Sequence, residues 1–168
     1  MWDGSSPKKA PWTWPKRCGT CPAPCCGGRD GPDWDRLLEL GAKAPGALEH
    51  RQVVQLLCQA DAYCLPTRYA EGFPTTLLEA AACGCPILCT PTAGTEELLP
   101  GPEYGTLLAD TRPETIRAGL QSLLADPEAA RRKADNARAN LCARFTWDAV
   151  FAKIVAIAQE KTKERAGM

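Results

Sequence analysis

Short apolar runs alternate with helical patterns along residues 35–165, and this alternation is the feature that most constrains the fold. Runs of strand length occur at 62–66, 86–90 and 104–108, and each is followed by a segment with helical spacing of apolar residues. Strands that alternate with helices pair in parallel, so the pattern predicts the α/β class, a parallel sheet flanked by helices. Helices are expected at 37–40, 53–60, 77–83, 95–99, 114–125, 127–143 and 147–165.

A parallel sheet binds its ligands outside the carboxyl ends of its strands. Two loops of this chain follow predicted strands directly, residues 67–76 after the first strand and 91–94 after the second. These two loops are therefore where we expect a functional site.

Residues 1–34 differ from the rest, because they hold six of the 15 Pro and four of the 10 Cys without a helical or strand period. We expect an irregular segment at 1–34 and a partial α/β domain at 35–168. Asp33 and Asp35 have the acid-x-acid spacing of some metal sites, but they follow glycines rather than a strand, which indicates a solvated linker. Cys18 and Cys21 have the two-residue separation of zinc ligands, but the second pair, Cys25 and Cys26, is adjacent in the chain. No metal site is therefore expected.

The charge balance excludes some functions, because 20 Lys and Arg against 20 Asp and Glu do not favour a nucleic-acid binder. No apolar run reaches the roughly 20 residues that span a bilayer, and the first residues do not resemble a secretory signal. A cytoplasmic protein is therefore expected. Under reducing conditions, small buried thiols are expected rather than disulfides at Cys58, Cys64, Cys83, Cys85, Cys89 and Cys142.

The loop after the first strand contains the residues best suited to chemistry. Gly72 lets backbone approach a ligand closely, and Pro74 suits the first turn of the helix that follows. The N–H groups of a helix start favour phosphate, whereas carboxylates such as Glu71 and Glu79 accept hydrogen bonds from sugar hydroxyls. Together these groups suit a sugar nucleotide. The alternative is structural, because Thr76 to Glu79 also has the pattern of a capping box.

Over residues 46–161 the chain resembles the carboxyl-terminal, donor-binding domain of GT-B glycosyltransferases of family 4, which share a Glu-x7-Glu motif. The residues that carry the resemblance are Pro66-Thr67, Glu71-Gly72-Phe73-Pro74 through Glu79-Ala80, Gly84-Cys85-Pro86, Gly94, Glu97, Asp126-Pro127-Glu128, Asn136-Ala137-Arg138 and Arg144-Phe145-Thr146-Trp147. The implied fold is an incomplete Rossmann-like parallel sheet with helices on it.

The resemblance implies a role for each motif residue. Glu79 would hold the ribose hydroxyls, and Glu71, as the catalytic candidate, would contact the donor sugar. The other implied donor-binding residues are Gly72, Phe73, Pro74, Thr75, Thr76, Gly94 and Glu97. The implied reaction transfers a hexose from a nucleotide sugar such as a UDP- or GDP-hexose, with retention and without a metal or cofactor. The acceptor, a glycan, lipid or small molecule, is not indicated.

Part of the family pattern has no counterpart here. The family's opening strands supply an Arg and a Lys to the pyrophosphate, and residues 1–45 contain no match to them. Arg68 is the one basic residue near the motif, at a position that does not match theirs. We therefore expect a truncated domain that needs an amino-terminal domain or a partner chain. A non-catalytic binding or inert half-domain stays open, whereas a dinucleotide oxidoreductase is disfavoured because Gly-x-Gly-x-x-Gly is missing.

Several single residues have two interpretations. His50 matches a family position before a helix, where a helix-start role is favoured over catalysis. Glu97 either caps its own helix or contacts the base or ribose. Ala93 stands where many relatives have Gly, and Phe145 and Trp147 are expected to anchor the last helix by packing.

Overall fold

The computed structural model describes residues 34–39, 46–68, 72–92 and 94–166. The chain divides into two units between Glu49 and His50, and each is described by itself. In the first unit, one helix, α1 (Trp34–Glu39), agrees with the short helix predicted near residue 37. The predictions for residues 1–33, including the thiols before Gly27 and Asp33, lie outside the described residues.

The second unit is a three-stranded parallel sheet with helices on both faces, as the sequence predicts. Its elements in chain order are α2 (His50–Leu57), β1 (Tyr63–Leu65), α3 (Thr75–Ala82), β2 (Ile87–Cys89), α4 (Thr95–Leu98), β3 (Thr106–Leu107), α5 (Pro113–Ala125), α6 (Pro127–Arg144) and α7 (Trp147–Ala166). The strand order is β1-β2-β3, so β2 is central. Tyr63 pairs with Ile87 in the first ladder and Leu88 with Thr106 in the second.

The core lies on the two faces of β2, because successive side chains of a strand point to opposite sides of a sheet. Ile87 and Cys89 are buried with residues of α3, α4 and α6, whereas Leu88 is buried with Leu108 and with residues of α5 and α6. The central strand is therefore covered on both faces, and its carboxyl end is held in place by both packed layers.

The helix α6 begins as its sequence predicts. The Asp126 carboxylate accepts a hydrogen bond from the Ala129 N–H at 2.9 Å, and Pro127 occupies the first helical position. Both features satisfy or remove N–H groups that the first turn of a helix leaves unpaired.

Two predictions about packing are wrong in part. Phe145 does pack, but Trp147 is 89% exposed at the start of α7, a helix whose apolar residues Phe151 and Ile154 are exposed as well. Among the six described cysteines, all of which are free thiols, Cys85 and Cys89 are buried but Cys58 and Cys142 are exposed. Cys58 follows the end of α2 beside the buried Leu57, and Cys142 lies on the exposed side of α6, so apolar neighbours in sequence do not bury either thiol.

Within the described residues, no helix is both long and apolar enough to cross a membrane. The same part of the chain contains no group of three or more His, Cys, Asp or Glu side chains that could hold a metal ion.

Candidate functional site

The carboxyl ends of β1 and β2 meet at one edge of the sheet, here called the carboxyl edge (residues 66–68 and 90–92). The Thr90 hydroxyl links the two segments, since it accepts from the Thr67 N–H at 3.0 Å and donates to the Thr67 carbonyl at 2.8 Å. Thr90 is only 6% exposed, so this link is shielded from water. Both loops that the sequence singled out therefore begin from one fixed edge.

The helix α3 begins at the carboxyl edge behind a buried proline. Pro74 is the N-cap residue, with φ −65° and ψ 110°, and no side chain caps the helix by a hydrogen bond. Thr75 and Thr76 of the first turn are exposed, and the Thr76 hydroxyl accepts from the Tyr63 hydroxyl at 2.7 Å. The start of α3 thus presents backbone N–H groups without a side-chain cap, which is the arrangement that favours an anion.

The capping-box alternative is wrong for Glu79. In a capping box the carboxylate lies three residues after the cap residue, whereas Glu79 lies five after Pro74 and belongs to the second turn. Its side chain is 29% exposed, and one carboxylate oxygen lies 3.7 Å from the His50 Nδ1 atom. The Glu79 carboxylate is therefore free of the helix cap and retains acceptor capacity for another ligand.

His50 begins α2, as its sequence position predicts, but its proximity to Glu79 was missed. The two residues are 29 positions apart, and only the packing of α2 against α3 brings them together. The signal that could have suggested the contact between His50 and Glu79 is a single His at the start of one helix and a single acidic residue inside the next. Because the His50 side chain is 73% exposed, the pair lies at the surface, where ion pairs contribute little to stability.

Phe73 and Gly94, two predicted donor-binding residues from different loops, are in contact. Gly94 has φ 82°, a left-handed conformation that favours glycine, and a Cβ atom built on it would overlap the Phe73 ring. The Phe73 ring centroid lies 5.4 Å from that of Phe145, which follows α6. The Phe73 side chain is thus part of the packing, while its backbone stays beside Gly72 at the start of α3.

Glu97 lies in α4 and contacts the end of α6. Its carboxylate is 3.6 Å from an Arg144 nitrogen, and its backbone carbonyl accepts hydrogen bonds from Arg144 at 3.0 Å and Asn140 at 2.8 Å. Because no side chain caps the start of α4, the prediction that Glu97 caps its own helix is wrong. Its contact with a base or ribose stays a prediction.

The basic groups at this end of the sheet also have polar partners. Arg68, in the loop after β1, donates from Nε to the Thr111 hydroxyl at 2.7 Å, and this hydrogen bond joins the loop after β1 to the loop after β3. Arg112 forms an ion pair with Asp110 at 2.8 Å. Hydrogen bonds from the Thr115 hydroxyl and the Arg112 backbone N–H hold the pKa of Asp110 below its usual value.

Two predicted residues, Glu71 and Ala93, lie outside the described residues. The catalytic role of Glu71 therefore stays a prediction. The described residues bring together Gly72, Phe73, Pro74, Thr75, Thr76 and Glu79 on one loop and helix, and Gly94 and Glu97 on the next.

Comparison with known proteins places this arrangement in a family. The profile of the family described as glycosyl transferases group 1 matches residues 34–140. The chain belongs to this family. Its fold is that of the carboxyl-terminal type of domain in GT-B glycosyltransferases, as similarity to solved structures shows.

One relative and two solved structures illustrate the similarity of this group 1 chain. It is 37% identical to glycogen synthase of Mycobacterium tuberculosis over 105 residues, and this aligned region covers 62% of this chain and 25% of that protein. Sucrose-phosphate synthase of Thermosynechococcus elongatus superposes with a TM-score of 0.68 at 24% identity, over 83% of this chain and 38% of that one. HepE of Anabaena, solved in complex with UDP-glucose, gives a TM-score of 0.60 at 21% identity, over 80% and 36%. The chain therefore spans between a quarter and two fifths of the length of these proteins.

Proposed function

We propose that this chain is the donor-binding part of a family 4 glycosyltransferase that transfers a hexose from a UDP- or GDP-hexose with retention of configuration. The observation that carries the proposal is the start of α3, where no side chain caps the helix and the Glu79 carboxylate lies one turn behind. Membership of the group 1 family and the UDP-glucose complex of HepE support a nucleotide-sugar donor.

The proposed chemistry assigns each group a task at the carboxyl edge. The N–H groups of Thr75 and Thr76 would receive the pyrophosphate, whose negative charge grows as the sugar leaves. Glu79 would accept hydrogen bonds from the ribose hydroxyls. Because it lies in the second turn of α3, its carboxylate would be separated from the phosphates at the helix start, which it would otherwise repel. Glu71 would face the donor sugar, where positive charge develops, and Gly94 and Glu97 would border the nucleotide.

The residues at the carboxyl edge account for binding of the donor but not of the acceptor. We propose that a glycan, lipid or small-molecule acceptor binds on an amino-terminal domain or a partner chain, in the cytoplasm. The small share of its relatives' length that the chain spans supports this proposal. The second candidate, which stays open, is a non-catalytic half-domain that binds the donor without transferring sugar.

Thermal unfolding with UDP and with GDP tests donor binding. A ligand at about 100 times its Kd adds about 2.7 kcal/mol to the free energy of unfolding, so the preferred nucleotide should raise Tm by several degrees. Glu79→Gln should remove most of that rise, whereas the exposed Asp135→Asn, which changes the net charge equally, should keep it. No shift with either nucleotide would overturn the donor-binding proposal.

Donor hydrolysis separates the two candidates. A transferase part should release free hexose slowly from the preferred UDP- or GDP-hexose, and Glu71→Gln should stop the release. Nucleotide binding without any hydrolysis at high protein concentration would favour the non-catalytic half-domain.

A further inference from the structure

The segment that closes α6 has contacts that the proposed chemistry does not use. Phe145 directly follows the helix, and its ring meets the Phe73 ring at a centroid distance of 5.4 Å and an interplanar angle of 52°. Tilted rings at this separation attract each other beyond the effect of burial. The Arg144 guanidinium lies 5.6 Å from the Phe145 centroid and covers that ring.

Phe73 also contacts the second loop of the site, at Gly94. The Phe73 ring occupies the space that a side chain at position 94 would need, so the ring and the Gly94 backbone are in close contact. Phe73 also lies between Gly72 and the buried Pro74 in the chain, immediately before α3. The Phe73 ring therefore connects the segment just before α3 with the Gly94 turn.

The last turns of α6 also hold α4, the helix that follows the second loop, by hydrogen bonds. The Asn140 amide donates to the Glu97 and Leu98 carbonyls, both at 2.8 Å, and Arg144 donates to the Glu97 carbonyl at 3.0 Å. These carbonyls lie at the end of α4, where a helix leaves its acceptors unpaired. The end of α6 and the Phe145 that follows it thus contact the first loop, through Phe73, and the helix after the second loop.

We propose that Asn140, Arg144 and Phe145 are positioning residues that fix the start of α3 and the Gly94 turn relative to each other and thereby set the affinity for the nucleotide. This inference rests on the proposed function. None of the three needs to touch the donor, because each acts through Phe73 or through the carbonyls of α4. Since preorganised groups lose less freedom on binding, loosening them weakens the affinity without removing a contact.

The test measures the Kd of UDP and of GDP by calorimetry on the full chain and its variants. Asn140→Ala should weaken binding of the preferred nucleotide several-fold, while Asn136→Ala should leave it unchanged. The two asparagines form a matched pair, because Asn136 also donates from α6 to a backbone carbonyl at 2.9 Å, but that carbonyl belongs to Glu103, between α4 and β3, and not to α4. Tm without nucleotide is recorded for each variant.

A second pair tests the ring contact. Phe145→Ala should weaken binding about tenfold, the change that corresponds to losing an aromatic pair, and Phe145→Tyr, which keeps the ring, should restore it. Phe151→Ala is the control, since that ring is 67% exposed on α7. If Phe145→Ala does not fold, Asn140→Ala and Phe145→Tyr decide.

The outcomes separate the two proposals. Weaker binding by Asn140→Ala, with Asn136→Ala unchanged, supports the positioning role, because a merely structural residue would lower Tm and leave the Kd of the folded chain as it was. Equal Kd values for the wild type and Asn140→Ala would overturn this inference alone. Absence of binding by the wild type would overturn the proposed function and the inference with it.

Discussion

The helices α3 and α7 differ in a way that their sequences do not reveal. The shorter, α3, has eight residues and buries Leu77, Ala80 and Ala81 completely, because it packs against α2, β2 and α6. The longer, α7, has 20 residues, and its main contact is with α6. Its exposed large apolar side chains are Trp147, Val150, Phe151, Ile154 and Ile157. Length and apolar content therefore do not decide how firmly a helix is held, whereas the number of elements that cover it does.

The comparison also explains where the candidate site lies. A donor site needs groups held in one geometry, and such groups are placed more accurately on enclosed elements than on loosely packed ones. The start of α3 meets that need, since Pro74 is buried and Leu77 is inaccessible to water.

The largest expected effect comes from truncating one apolar side chain on each helix. Leu77→Ala should cost about 2–5 kcal/mol of the free energy of unfolding, because it leaves a cavity in the core. Ile154→Ala on α7, where the side chain is 56% exposed, should cost less than about 1 kcal/mol. Urea denaturation of both variants measures the difference, and equal costs would break the comparison of the two helices.

A glycine pair sharpens the comparison between the site and its surroundings. Gly84 and Gly94 both have positive φ, 67° and 82°, but only a Cβ at position 94 would overlap another side chain, that of Phe73. Gly84→Ala should cost about 1–2 kcal/mol from backbone strain alone. Gly94→Ala should lower the free energy of unfolding by more than Gly84→Ala does, as measured by denaturation, and should also weaken nucleotide binding. An equal cost for the two variants would show that the Phe73 ring moves aside freely.

A smaller effect should appear at high pH. Burial raises the pKa of the Cys85 and Cys89 thiols from 9.0 to about 12. Since the unfolded chain loses these protons first, the free energy of unfolding should fall as pH rises from about 9 towards about 12. The loss should be on the order of 1 kcal/mol per thiol at about pH 10.

Cys89→Ala identifies the source of that loss. Denaturation of this variant at about pH 8 and about pH 10 should show a smaller drop than the wild type, by the contribution of one thiol. Cys142→Ala is the control, because that thiol is exposed on α6. An unchanged drop in Cys89→Ala would mean that Cys89 is not protonated preferentially in the folded state.

Much of the fold could be predicted because local patterns determine it. The strand expected at 62–66 is Tyr63–Leu65, and the strand expected at 86–90 is Ile87–Cys89, since continuous apolar runs suit the strands of a parallel sheet that helices cover. The helix expected from residue 77 begins at Thr75, two residues earlier, because the chain turns directly after Pro74. Elements and their order follow from neighbours in sequence.

The site was predictable only in part, because its geometry depends on contacts between distant residues. Nothing in the spacing places His50 beside Glu79 or the Phe73 ring against Gly94. The exposure of Trp147 was missed for a related reason, since an apolar residue on a helix indicates a potential partner but not whether another element is there.

Hydrogen exchange with and without saturating UDP or GDP would test the proposed donor site most directly. If the start of α3 and the Gly94 turn bind the nucleotide, exchange should slow in peptides from residues 72–82 and 94–98 and stay unchanged in residues 147–166. Slowing confined to α7, or none in the peptides of α3 and α4 while the nucleotide is bound, would contradict the placement of the donor site at the carboxyl edge.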